Sequence, residues 1–84
     1  MRELLEQIAN GKTTFEAEDG HLIEFQTTVK TLIQAYQRGY IGSFGTYQKL
    51  LLGENYFYKA KAEIITSAGI HWVNASEAAP RYQH

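Results

Sequence analysis

Gln26, Thr27, Lys30, Gln34, Gln37 and Arg38 are side chains of the kind that read nucleic acid, gathered within one short stretch. Gln can pair bidentately with adenine, and Lys or Arg with guanine. Carried on one face of a helix, they would offer base-edge and phosphate contacts to a major groove; a solvated helix face has the same composition. Lys49, Lys59 and Lys61 fall in a stretch that reads as strand. There they would touch phosphates without regard to sequence, or guard an exposed strand against pairing with other chains. Tyr40, Phe44, Tyr47, Tyr56, Phe57 and Tyr58 crowd the same stretch. Aromatic residues are enriched in interface cores, so Tyr47, Tyr56, Phe57 and Tyr58 are candidate protein-contact residues and a homodimer is the expected assembly. Cross-strand packing would use the same rings.

Other chemistries find little material. His21, His71 and His84 are far apart, and the chain has no cysteine, so no metal site is expected. Glu16, Glu18 and Asp19 fall in a polar turn with no apolar pocket to raise a carboxyl pKa. Ser43 and Ser67 lack the motif context that activates a nucleophile, and Gly42-Ser43-Phe44-Gly45 is too short for a phosphate loop. The expectation is a protein that is not an enzyme and carries no cofactor.

The elements that would position these residues can be read along the chain. Leu4, Leu5 and Ile8 share a helical face, and Asn10-Gly11 ends that helix. Thr13–Ala17 alternates like a short strand. Asp19-Gly20 is open to two readings, a hairpin turn or the punctuation before a helix. The apolar stripe Leu22, Phe25, Val29, Leu32, Ile33 and Tyr36 predicts a helix over about residues 21–38, with Gln26, Lys30, Gln34 and Gln37 on its other side. Arg38-Gly39 ends it.

From Tyr40 to Ile65 the period becomes two. Gly53-Glu54-Asn55 is the expected turn between arms at Tyr47–Leu52 and Tyr56–Ile65, the second arm with Tyr56, Tyr58, Ala60, Ala62 and Ile64 on one face and Phe57, Lys59, Lys61 and Glu63 on the other. Thr66 can cap a last helix, from which Ile70, Trp72 and Val73 would pack on the body. The predicted domain is residues 1–73, followed by a flexible tail over 74–84.

Bulk properties bound the answer. Eighty-four residues make one domain. With 44% hydrophobic residues and no cysteine, stability must come from a core. The longest apolar run, Leu50-Leu51-Leu52, is far too short to span a membrane. The N-terminus has no signal-peptide character, so the cytoplasm is expected. The net charge is −1; residues 1–20 lean acidic and residues 21–65 lean basic, which permits a nucleic-acid partner without demanding one.

Two stretches carry a resemblance: Arg38-Gly39-Tyr40-Ile41, and Ile65-Thr66-Ser67-Ala68-Gly69-Ile70-His71-Trp72-Val73. At this separation they resemble the end of the recognition helix and the return of the wing in winged helix-turn-helix proteins, nearest to small winged-helix proteins of bacteria and their phages. The resemblance spans residues 2–73. It implies an α+β domain of two or three helices and a two- or three-stranded sheet, and a role in double-stranded DNA binding and transcription regulation. It also implies that the helix at 21–38 enters the groove and that Lys49, Lys59 and Lys61 meet phosphates. One departure is plain: Lys12 to His21 reads as strand and turn where that family places a second helix. A winged-helix-shaped domain that binds protein instead of DNA is the alternative.

Overall fold

The computed structural model describes the backbone of residues 1–81 and side chains through Ala75. The fold is α+β: α1 (Arg2–Ala9), β1 (Thr14–Glu16), α2 (Leu22–Gln37), β2 (Ile41–Leu51), β3 (Glu54–Ile65) and α3 (Ser67–Arg81). The strands form one antiparallel sheet in the order β1-β3-β2. No helix among the described residues is long and apolar enough to cross a membrane.

The core follows from the helical spacing. Leu5 and Ile8 of α1 and Phe25, Val29, Leu32 and Ala35 of α2 are buried with Phe15, Ile41, Ala60, Ala62 and Val73 in one cluster. Leu5, Val29 and Leu32 are fully buried, and each contributes ~1.5–3 kcal/mol by leaving water. Because α2 begins at Leu22 and β1 pairs with β3, Asp19-Gly20 precedes a helix and does not turn a hairpin. Tyr36 departs from the expected stripe: it is half exposed and stacks on Phe44 with ring centroids 5.7 Å apart.

The two stretches singled out in the sequence meet in space. The Tyr40 N–H donates to Ala35 O, which turns the chain out of α2, and the Thr66 N–H donates to Tyr40 O (both 2.9 Å). The Thr66 hydroxyl donates to Gly39 O (2.6 Å) and accepts from the Gly69 N–H (3.1 Å), capping α3 as its residue type predicts. Gly69 lies so close to strand β2's entry that a Cβ there would stand 2.5 Å from Tyr40 O. The Tyr40 and Trp72 rings stack at 5.6 Å. Val73 is buried and Trp72 half-buried, but Ile70, expected to face the body, is half exposed. The α3 backbone continues to Arg81, past the Val73 boundary read from the sequence.

The hairpin differs from a regular alternating ribbon. The turn is Leu52-Gly53, earlier than the expected Gly53-Glu54-Asn55, so β3 starts at Glu54. Register shifts leave Glu63 and Tyr58 of β3 without a Cα partner on β2. Each extra residue inverts the alternation beyond it. Phe57 therefore lies on the core side and Tyr58 is exposed, the reverse of the period-two reading; Ile64 is also exposed.

Candidate interaction surface

Gln26 is not on the outward face of α2. Its amide Nε2 donates to Leu22 O (2.8 Å) and to Phe57 O (2.7 Å), and its Oε1 accepts from the Phe57 N–H (3.0 Å). β1 pairs with β3 only as far as Lys59, followed by Ala17 N–H donating to Tyr58 O (3.0 Å). The Gln26 side chain takes the next peptide groups, those of Phe57, as a further strand residue would. Its hydrogen-bonding capacity is committed to holding α2 against the hairpin, so it cannot read a base edge.

Thr27, Lys30, Gln34, Gln37 and Arg38 remain exposed along α2. They form one stripe with Ile23, also exposed. Lys30 and Arg38 are its cations.

The hairpin's lysines and tyrosines come together on the sheet face opposite the core. The Lys59 ammonium lies 5.4 Å from the Tyr47 ring centroid, Lys49 lies 6.0 Å from that of Tyr58, and the two rings are 6.3 Å apart. Glu16 sits 3.6 Å from Lys59. Lys49 and Tyr58 line a depression with Glu16, Glu18 and Asp19. The acidic turn after β1 thus offsets the positive charge of the hairpin, which lowers its attraction for phosphate. Exposed pairs of this kind are worth ~0–1 kcal/mol, so their effect is on the surface field more than on stability. Lys61 projects from the same face, two residues along the strand.

The distal hairpin holds the features the sequence reading passed over. Leu50, Leu51 and Leu52 are exposed, Leu52 by 95%. Leu52 (φ 51°) and Gly53 (φ 82°) both have left-handed backbone, the pattern of a two-residue type I′ turn. Gly suits that conformation, whereas a bulky side chain there costs about 1–2 kcal/mol. The Leu50-Leu51-Leu52-Gly53 run between strand-like segments was the available signal: apolar residues where a turn ordinarily carries Asn or Asp. Beside the tip, the Tyr56 hydroxyl donates to Glu54 Oε2 (2.8 Å). That hydrogen bond, with the nearby carboxylate charge, raises the Tyr56 pKa above the ordinary phenol value. Phe57, expected as a contact residue, packs against the core cluster.

Elsewhere, a depression of about 270 Å³ between α1, β1 and α2 mixes Leu4, Phe15 and Phe25 with Lys12, Glu18 and Glu24. Among the described residues, no three His, Asp or Glu side chains are grouped to hold a metal ion. Comparison with family models, curated proteins and solved structures finds no match to this chain.

Proposed function

We propose that this chain is a small protein-binding module of winged-helix-like shape, with the β2–β3 hairpin as its contact arm and another copy as its partner. The observation that carries this reading is the distal arm itself: Leu50, Leu51 and Leu52 exposed at its tip, with the exposed rings of Tyr47 and Tyr58 farther along the same arm. Exposed apolar and aromatic surface concentrated in one place is the composition of an interface core. The helix–strand–helix–hairpin–helix order supports the winged-helix comparison. The stretch between Ala9 and Leu22 holds β1 and turns but no helix, so the usual two-helix docking on a duplex lacks its first member.

Double-stranded DNA binding and transcription regulation form the second reading, supported by the exposed stripe Thr27, Lys30, Gln34, Gln37 and Arg38. A duplex contact draws most of its affinity from phosphate neutralisation. Here Gln26 is occupied, Lys59 sits beside Glu16, and Lys49 shares a depression with Glu16, Glu18 and Asp19. Those facts support preferring the protein-binding reading.

Gel filtration with light scattering, at low and high salt and with a random-sequence duplex, separates the two. The arm reading predicts a species heavier than one chain that ignores salt and duplex and becomes lighter in Leu50→Asp. A single chain that moves onto the duplex at low salt and leaves it as salt rises would establish the second reading instead.

A further inference from the structure

The sheet order leaves β2 at an edge along its whole length, and the hydrogen bonds of β3 fix which β2 groups face outward. The Ala62 N–H donates to Thr13 O, and Tyr58 O accepts from Ala17. The peptide groups of Ala62, and of Ala60 between these two bonds, therefore point to β1. Those of Phe57 point to Gln26. In an antiparallel ladder, a residue whose N–H and C=O point to one neighbouring strand sits at a non-hydrogen-bonded position toward the other. The β2 partners of Ala62, Ala60 and Phe57 are Phe44, Thr46 and Gln48, and Leu50 opposite Asn55 continues the alternation. Phe44, Thr46, Gln48 and Leu50 thus direct their backbone N–H and C=O groups away from the sheet.

This edge has few of the usual protections. From Phe44 to Leu51 it contains no proline and one charged residue, Lys49. The register shift within this stretch, at Tyr47/Gln48, places its extra residue, Tyr58, on β3, so β2 itself stays regular from Phe44 to Leu51.

We propose that two copies pair edge to edge through β2, antiparallel about a two-fold axis at Tyr47, making one continuous sheet across both chains. Among self-pairings, this register matches every outward group with an outward group. Phe44 lies opposite the partner's Leu50, and Thr46 opposite the partner's Gln48, at hydrogen-bonded positions. On the other face Tyr47 meets its own copy, and Lys49 meets the partner's Gly45. No like charges oppose each other across the seam, and an apolar pair flanks it on each side. Magnitudes also favour backbone pairing over contact through the tip alone. Three leucine side chains at a turn are a small apolar patch to set against the translational and rotational freedom lost on association. Strand addition supplies the remaining affinity through main-chain hydrogen bonds.

The proposal rests on the protein-binding reading and is narrower than it. Light scattering across a concentration series is combined with two kinds of variant. Thr46→Pro removes one outward N–H at a position where an edge strand tolerates proline, and it is expected to yield single chains with unchanged circular dichroism. Tyr47→Cys places two thiols across the axis at a non-hydrogen-bonded pair, ~4.5 Å between Cα atoms, within disulfide reach. It should form a covalent dimer under mild oxidation, whereas Lys49→Cys, offset from its own copy along the seam, should not. The cysteine pair keeps the test decisive if Thr46→Pro fails to fold. A dimer that survives Thr46→Pro and does not cross-link through Tyr47→Cys overturns the β2 seam while leaving the arm reading standing. A protein that stays a single chain at every concentration overturns both.

Discussion

The two ends of the hairpin obey opposite rules. At its base, Gly39, Tyr40, Thr66, Gly69 and Trp72 are tied by hydrogen bonds, a backbone approach that only glycine permits, and a ring stack. At its tip, a leucine adopts left-handed backbone and stands in water. The base is over-determined, as a part that sets geometry must be. The tip spends stability without an internal return, which is where function is to be sought.

Substitutions should separate these ends by sign as well as size. Trp72→Ala removes the stacked ring from a half-buried site and should cost ~3 kcal/mol, the low end for aromatic truncation, measured by urea denaturation. Gly69→Ala forces a methyl against Tyr40 O and should cost ~1–3 kcal/mol through overpacking, although alanine is the better helix former. A neutral result for either would break the claim that the base is locked. Gln26→Leu leaves the Phe57 peptide groups without their partner and should cost ~1–3 kcal/mol; the hydrogen exchange of the Phe57 amide should accelerate with it.

The tip should respond the other way. Leu52→Asn replaces a side chain that resists left-handed backbone with one that tolerates it, and should raise stability by ~0.4–1 kcal/mol. The smallest effect concerns Tyr56. Its raised pKa means the folded state holds the phenol proton more tightly, so any associated stability is present below the ordinary phenol pKa and lost as pH rises through the raised one. The readout is the titration itself: Glu54→Gln should lower the Tyr56 midpoint seen by ultraviolet absorbance.

Local chemistry made much of the fold legible. Leu5 and Ile8 on one face, Phe25, Val29 and Leu32 within the stripe of the second helix, and a threonine able to cap the last helix are all short-range signals, and the structure has them. What escaped depends on distant parts of the chain. Gln26 looked like one of several outward polar residues because its partner, Phe57, lies thirty-one positions away. The faces of Phe57 and Tyr58 were inverted because a bulge breaks strict alternation without a mark in the sequence. Lys59 and Lys49 looked like free charge until Glu16 was brought beside the first and the acidic turn after β1 into one depression with the second. The proposed interaction surface was half legible: Tyr47 and Tyr58 were candidates from their type, while the leucine tip and the open edge of β2 needed the strand order.

Backbone hydrogen exchange of the β2 amides, followed in dilute and in concentrated protein, tests the account most directly. Gly45 and Tyr47, bonded toward β3, should be protected at both concentrations. The amides of Phe44, Thr46, Gln48 and Leu50 should exchange fast when dilute and slow sharply when concentrated. Fast exchange at those positions under both conditions would contradict the account, because the outward edge of β2 would then have no partner of its own kind.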